Sequence, residues 1–160
     1  MIRTPRLELV PLTDDEAEAI LARRREGRAW SPGYPTPGDV ETAGWPAPAD
    51  VRWQTLQLRE RATGLVIGAI GCHGAPEDGI VEIGYGIAPE ARGRGLASEA
   101  CAALVAFLEA QPEVRVLRAA TDADNLPSQR VLERCGFVAV ARDEAVIAWR
   151  RERPSRSATG

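Results

Sequence analysis

The segment Arg92-Gly93-Arg94-Gly95-Leu96-Ala97 constrains this chain more than any other feature of its sequence. It follows an apolar, strand-like run at residues 81–87 and precedes a run with helical periodicity from Leu96 to about Glu109. Glycine-rich backbone between a strand and a helix directs several N–H groups at one point, where the helix dipole adds partial positive charge. Two arginines in the same turn can add charge-assisted hydrogen bonds. The segment therefore predicts a site for phosphate oxygens.

Two common nucleotide fingerprints do not fit this turn. A dinucleotide-binding turn reads G-x-G-x-x-G and opens the first β-α-β unit, whereas here the sixth position from Gly93 is Ser98 and antiparallel strands are predicted to come first. A P-loop requires a lysine, and every basic residue of this chain is an arginine. The phosphate therefore belongs to a different kind of cofactor.

Bulk properties exclude several classes of protein. The chain has 160 residues, 44% of them hydrophobic and 27% charged, and a net charge of -3. Such a composition predicts one globular domain, here residues 1–150, followed by a frayed polar tail at 151–160. The charge argues against nucleic acid and against an anionic membrane as partners, and no apolar run has the length of a signal peptide or a membrane span.

The cysteines point to a reducing, cytoplasmic setting. Cys72, Cys101 and Cys135 are odd in number and lack metal-ligand spacing, so they predict small core residues and no metal site. His73 is the only histidine, which disfavours a cysteine–histidine nucleophilic pair.

Periodicity predicts an α/β domain. Helices are expected after Thr13, over 96–109, and from a cap at Asn125 to Cys135, and residues 28–50, rich in proline, are expected to be loop with one helical turn near Val40. A β-α-β crossover must surround the second helix. Strands are predicted at 6–12, 52–61, 65–72, 81–88, 114–121, 137–141 and 145–149.

Three segments in this order and spacing resemble the GNAT superfamily of acyl-CoA-dependent N-acetyltransferases. The turn at 92–97 fits that family's pyrophosphate pattern, Arg/Gln-x-x-Gly-x-Gly/Ala. The preceding Glu82-Ile83-Gly84-Tyr85 and the later residues 125–137 are similar to the ribosomal-protein N-terminal acetyltransferase branch, as is the opening Thr4-Pro5-Arg6-Leu7-Glu8-Leu9.

The resemblance implies a GNAT fold, with a mixed, mostly antiparallel sheet of six or seven strands and helices on both faces. It implies acetyl-CoA as the cofactor, with the pantetheine arm in a splay between the strands at 81–88 and 114–121. Asn125 would bond that arm, although helix capping is the alternative role for it. The cofactor-binding residues implied are Ile87, Arg92, Gly93, Arg94, Gly95, Leu96, Ala97 and Asn125.

Glu82 and Ser128 are the predicted catalytic residues. Glu82 is the candidate base, with a structural ion pair as the alternative role. An α-amine with a pKa near 8 fits a glutamate base better than a lysine amine near 10.4 does. Ser128 matches a position near the thioester, or else it is only a hydroxyl in a first helical turn. Leu132 stands where many members carry a general-acid tyrosine, so Ser128 or water would have to protonate the thiolate.

The acceptor is predicted to be a primary amine, either a protein or peptide N-terminus or a small molecule such as an antibiotic. A non-catalytic acyl-CoA-binding module and a purely structural domain are the alternatives from other classes. Trp30, Tyr34, Trp45 and Trp53 either line an acceptor pocket or form a second small core. The chain is expected to be a monomer or a homodimer.

Overall fold

Eight strands form one sheet in the order β1-β2-β3-β4-β5-β6-β8-β7 in a computed structural model that describes residues 1–155. Only β5 and β6 pair in parallel, and every other pair is antiparallel. The predicted sheet lacked one strand, the two-residue edge strand β1. The strands are β1 (Ile2–Arg3), β2 (Leu7–Pro11), β3 (Thr55–Glu60), β4 (Val66–Cys72), β5 (Ile80–Ile87), β6 (Val116–Asp122), β7 (Val138–Arg142) and β8 (Val146–Glu152).

The described chain has four α-helices: α1 (Asp14–Leu21), α2 (Pro37–Ala43), α3 (Leu96–Glu109) and α4 (Leu126–Arg134). The predicted bounds of α3 are confirmed. Helix α2 extends over seven residues where only one turn was predicted. The reason is a capping box, in which the Thr36 and Asp39 side chains satisfy each other's backbone N–H groups.

Thr13 caps α1 as predicted, but Glu16 does not complete a capping box with it. Its carboxylate instead accepts hydrogen bonds from Trp30 Nε1 at 3.1 Å and Gln57 Nε2 at 3.0 Å. These contacts connect α1 to the proline-rich segment and to β3.

Two hydrophobic clusters cover the two faces of the sheet. The larger cluster lies between the strands and helices α3 and α4, and Trp53 belongs to it. The smaller one joins α1 and α2 to Trp30 and Tyr34, whose rings meet edge to face with centroids 5.5 Å apart. Strand β4 is buried along its whole length, as expected for a strand covered on both faces. Helices on both faces are therefore confirmed.

The last strand is longer than the sequence pattern indicated. Arg151 and Glu152 belong to β8 rather than to a tail. The guanidinium of Arg151 binds Glu109 through two hydrogen bonds of 3.0 and 2.9 Å, and a third goes to the Cys135 carbonyl. These bonds tie β8 to the end of α3. Residues 156–160 of the predicted tail lie outside the described part of the chain.

Strands β5 and β6 pair in parallel over only part of their length. Pairing extends from Ile80–Val116 to Glu82–Arg118. Beyond that point β5 continues along β4 to Ile87, while β6 continues along β8. The two strands therefore diverge, and one edge of residues 83–87 has no partner strand. The predicted splay is present at this position.

Candidate active site

The glycine turn lies directly after the splayed part of β5. Gly93 has φ +80° and Gly95 has φ +77°, a left-handed conformation that side chains disfavour. Gly95 occupies the N-cap of α3, so the free N–H groups of the first helical turn face the turn's open side. A Cβ at Gly93 would meet no atom within 4 Å. The turn is thus an exposed cradle of backbone donors at a helix N-terminus, the geometry that binds phosphate oxygens.

The two arginines of the turn are oriented by the protein itself. Arg92 Nε donates to the Ile87 carbonyl at 3.0 Å, so its guanidinium spans the corner between β5 and the turn. Arg94 pairs with Glu60 at 2.5 Å. These contacts restrict the motion of both side chains next to the turn.

A latch made from the N-terminal segment holds the turn in place. Arg6 donates to Glu99 Oε1 at 2.8 Å and to the Arg94 carbonyl at 2.7 Å. Thr4 donates its hydroxyl proton to Glu99 Oε2 at 2.5 Å. Sequence reasoning noted the segment containing Thr4 and Arg6 but missed this role, because the contacts cross more than ninety residues.

An inner cavity of about 310 Å³ opens at the splay. Residues on both faces of the sheet line this cavity. Tyr85 and Ser128 lie on the α4 side. Gly84, Gly86 and His73 lie on the α2 side. Successive residues of β5 direct their backbone N–H groups to opposite edges of the strand, which leaves N–H donors on the edge away from β4. His73 N–H bonds the Glu82 carbonyl and Ala88 N–H bonds the Ile67 carbonyl, so residues 82, 84, 86 and 88 turn their polar groups to β4. The N–H group of Tyr85 therefore faces the gap, whereas that of Ile83 lies at the end of the paired part of β5 and β6.

Ser128, one of the two predicted catalytic residues, lines this cavity. Its hydroxyl lies 2.7 Å from the Tyr85 hydroxyl, which also donates to the Ser128 carbonyl at 3.0 Å. Burial raises the pKa of Tyr85 above its ordinary range, so the phenol stays protonated at neutral pH. Tyr85 is a site residue that sequence reasoning missed, although its place in the splayed strand was visible.

Leu132, at the position where many family members carry a tyrosine, is fully buried and packs in the larger core. Tyr85 supplies a phenol to the inner cavity from strand β5.

Glu82, the second predicted catalytic residue, lies on the opposite side from Ser128. Its Oε2 is 2.7 Å from Nδ1 of His73. The ring of His73 lies over Gly84, since a Cβ at that glycine would come within 2.5 Å of Nε2. Gly84 is therefore required by the imidazole, whereas the space over Gly86 is open.

The remaining predicted residues have other neighbours. Asn125 Oδ1 accepts from the Ser128 N–H at 3.2 Å, so the asparagine caps α4 and positions Ser128. Cys72 lines the cavity, but burial raises its pKa to about 12, which keeps it a thiol and excludes it as a nucleophile with His73.

An outer groove of about 1180 Å³ continues from the inner cavity toward solvent. Trp45, 41% exposed, and His73 line both spaces. Trp53 also lines the outer groove although its ring belongs to the larger core, whereas Trp30 and Tyr34 belong to the smaller core. No arginine of residues 1–155 lines either space. The carboxylates that line them are Asp14, Glu18, Asp39, Glu41 and Asp50.

The sequence profile of the acetyltransferase (GNAT) domain matches residues 6–138. This chain belongs to the GNAT acetyltransferase family. The match includes the splayed strand, the glycine turn and Ser128, and a GNAT domain indicates the binding of an acyl-CoA. A comparison with proteins of curated function finds no match.

Solved structures share the fold of this acetyltransferase. An acetyltransferase from Agrobacterium tumefaciens is 26% identical, with a TM-score of 0.66, and the match covers 94% of this chain and 93% of that one. A ribosomal-protein-S5-alanine acetyltransferase from Vibrio fischeri is 15% identical, with a TM-score of 0.71 and 96% of each chain covered. A ribosomal L7/L12 α-N-protein acetyltransferase, RimL, in complex with coenzyme A is 15% identical, with a TM-score of 0.67, and 93% of this chain and 95% of that one are covered.

Two further observations concern residues 1–155 of this acetyltransferase. None of their helices combines the length and the apolar character needed to cross a membrane. No group of three or more His, Cys, Asp or Glu side chains within them is arranged to hold a metal ion.

Proposed function

We propose that this GNAT enzyme transfers an acetyl group from acetyl-CoA to a primary amine, with a positively charged peptide N-terminus as the preferred acceptor. One observation carries the proposal. The unpaired edge of β5 leads from the glycine turn into the cavity shared by Tyr85, Ser128 and His73. A cofactor arm laid along that edge would bring its thioester between the two hydroxyls and the acceptor opening.

On the donor side, the N–H groups of Gly93, Gly95, Leu96 and Ala97 would hold the pyrophosphate, with Arg92 and Arg94 adding positive charge. The pantetheine would hydrogen-bond the free edge of β5 next to Ile87. Asn125 would act through its cap, which sets the position of Ser128. The coenzyme A complex of RimL, with the same fold, supports this placement.

At the reacting carbonyl, proximity of the two bound substrates supplies much of the rate without a covalent intermediate. The N–H group of Tyr85 faces the gap and is positioned to donate to the oxygen that becomes negative. Ser128 and Tyr85 would stabilise the departing thiolate on one side. Glu82, bound to His73, would supply negative charge on the amine side.

The lining of the outer groove supports a cationic acceptor. Asp14 and Glu18 line it from α1, and Glu41 lines the adjoining inner cavity from α2. Asp50 is largely neutralised by Arg52 at 2.7 Å. A groove of one sign of charge attracts a substrate of the opposite sign. An α-amine also demands less of the base than a lysine amine does, because its ordinary pKa is lower by about 2.4 units.

A polycationic small molecule is the second candidate acceptor, favoured by the same carboxylates. The size and openness of the groove favour an extended peptide, as does the resemblance to ribosomal-protein N-terminal acetyltransferases. We also propose a cytoplasmic location, since all three cysteines are free thiols.

Thiol release from acetyl-CoA tests the proposal directly. The acceptors would be short peptides with a free N-terminus followed by arginines, the same peptides with glutamates, N-blocked peptides with one lysine, a polyamine and an aminoglycoside. We expect the arginine peptide to exceed its glutamate partner about tenfold or more in kcat/KM, with the ratio shrinking as salt is added.

Other outcomes of the panel would be informative. Absence of amine-dependent thiol release would contradict acetyl transfer. Equal rates for the arginine and glutamate peptides would contradict a cationic acceptor, and a preference for the polyamine would shift the proposal to a small-molecule substrate.

A further inference from the structure

The only histidine of this enzyme is held at the acceptor side of the site by two contacts to one residue. Its Nδ1 lies 2.7 Å from Glu82 Oε2, and its backbone N–H donates to the Glu82 carbonyl at 2.8 Å. We propose that Nε2 of His73 takes the proton from the acceptor amine, and that Glu82 is a positioning residue that holds the imidazole through Nδ1. This inference rests on the proposed acetyl transfer and replaces Glu82 as the direct base.

The packing around His73 fixes which nitrogen is available. Nδ1 is engaged by Glu82, so the ring directs Nε2 along Gly84 at the splay. Trp45 packs against the imidazole edge to face, with centroids 4.9 Å apart and an interplanar angle of 84°. These contacts hold the ring without occupying Nε2.

The cavities distinguish the imidazole from the carboxylate. His73 lines both the inner cavity and the outer groove, so an amine moving from one to the other passes it. Among the described residues that line these two spaces, Glu82 does not occur. The carboxylate, 44% exposed, therefore lies outside the two spaces that the imidazole lines.

Proton affinities favour the same assignment. An ordinary imidazole has a pKa of about 6.5 and an ordinary glutamate about 4.3, against about 8 for an α-amine. Removal of the amine proton is uphill by about 1.5 pK units for an imidazole and by about 3.7 for a carboxylate. A base closer to the acceptor's pKa does the same work with a smaller loss of driving force.

The proposed step conserves protons and electrons. Nε2 takes one proton from the ammonium group, and the resulting imidazolium donates Nδ1–H to Glu82. The amine lone pair then bonds the thioester carbon, and the C–S electron pair leaves with sulfur. The thiolate gains the second amine proton by way of the hydroxyls of Tyr85 and Ser128, and His73, 37% exposed, returns its proton to solvent.

Several charged or titratable side chains lie near His73. Glu82 on β5 contacts its ring, and the same two spaces are lined by Asp39 and Glu41 on α2, Asp14 and Glu18 on α1, Asp50 after α2 and Cys72 on β4. Tyr85 lines the inner cavity from the opposite face of the sheet.

The test compares His73→Gln, Glu82→Gln and the control Glu77→Gln, which removes an exposed carboxylate from the same β4–β5 turn. For wild type, kcat/KM for a free N-terminal peptide should rise with pH along a limb set by the base. His73→Gln should lower kcat/KM by at least about 10²-fold and abolish that limb. Glu82→Gln should keep the limb but move it to lower pH, since the imidazolium loses its partner. The control should match wild type.

Two further measurements separate the possible failures. The single histidine gives one imidazole signal in a proton NMR titration, and its midpoint should fall in Glu82→Gln. Acetyl-CoA affinity should stay within about twofold in all variants, which excludes misfolding as the cause.

A limb that survives in His73→Gln but disappears in Glu82→Gln would overturn the proposal in favour of Glu82 as the direct base. An unmoved NMR midpoint in Glu82→Gln would overturn the positioning role. Absence of turnover in wild type would refute the acetyl-transfer proposal itself, and this inference with it.

Discussion

The hydroxyl groups of Tyr85 and Ser128 lie 2.7 Å apart in the inner cavity, although the residues are 43 positions apart in the sequence. Strand β5 carries the tyrosine and the first turn of α4 carries the serine. In the proposed mechanism this pair takes the role of the single tyrosine expected at Leu132. The phenol is a weak acid for that role, because an ordinary phenol already has a higher pKa than an ordinary thiol and burial raises the pKa of Tyr85 further.

Tyr85→Phe is expected to lower kcat by about 10- to 100-fold, the range for loss of one hydrogen bond to a charged group. Full proton transfer from such a phenol to a thiolate is uphill, so a larger loss is not expected. Single-turnover kinetics with saturating acetyl-CoA measure the effect. Tyr34→Phe is the matched control, since the only other tyrosine is fully buried and accepts a hydrogen bond from Gln57 in the smaller core. Equal kcat for Tyr85→Phe and wild type would remove the phenol from the mechanism.

Gly93→Asp is expected to abolish detectable acetyl-CoA binding by calorimetry, because it places a carboxylate among the phosphate donors. Gly64→Asp controls for backbone strain. Its φ of +74° is close to the +80° of Gly93, both positions are open, and Gly64 lies in the β3–β4 turn. Both variants should lose similar stability, whereas Gly64→Asp should bind the cofactor normally. A Gly93→Asp variant that binds as tightly as Gly64→Asp would show that the cofactor site is elsewhere.

Glu99→Gln is expected to lower the free energy of unfolding at pH 7 by about 1–3 kcal/mol, because the carboxylate of the latch accepts from Thr4 and Arg6. Burial raises the pKa of Glu99, but these hydrogen bonds and the charge of Arg6 outweigh it and leave the pKa below its usual range. A lowered folded pKa stabilises the protein above the unfolded value of about 4.5, and that stabilisation is lost as the pH falls through the folded pKa. Urea unfolding at pH 7 and about pH 3 should therefore show the difference from wild type shrinking in acid. A constant difference would contradict the latch.

Leu132→Tyr tests whether the family's usual acid can be restored. Leu132 is completely buried, so a phenol there overpacks the core and should cost about 1–3 kcal/mol of stability without raising kcat. Leu132→Met keeps the volume and should cost less than about 1.5 kcal/mol. Thermal unfolding and thiol-release assays measure both properties. An increase in kcat for the tyrosine variant would show that the site can accept an acid from α4.

Local sequence signals predicted the features that depend on local geometry. The glycines at 93 and 95 indicated a turn with positive φ, and the turn together with the apolar spacing after it predicted α3 with its observed bounds. The Asn125 cap and the left-handed Gly136 likewise bounded α4. In each case a short stretch of backbone has few alternatives, so the residue types are enough.

The chemistry of the site depended on distant contacts. His73 and Glu82 are nine residues apart but meet because the β4–β5 register pairs Cys72 with Ile83. The strand pattern of β5 contained no signal for the point at which β6 leaves it. Trp45 could not be separated from Trp30 and Trp53, because aromatic residues in a proline-rich segment look alike until the helices pack.

The sequence by itself determined the glycine turn before α3, the family and the use of an acyl-CoA, since these are properties of contiguous backbone and of a motif. The tertiary structure alone decided where the sheet opens, which hydroxyls meet at the opening and which side chains line the acceptor path. Those features arise from strand register and packing across tens of residues, and no short segment specifies them.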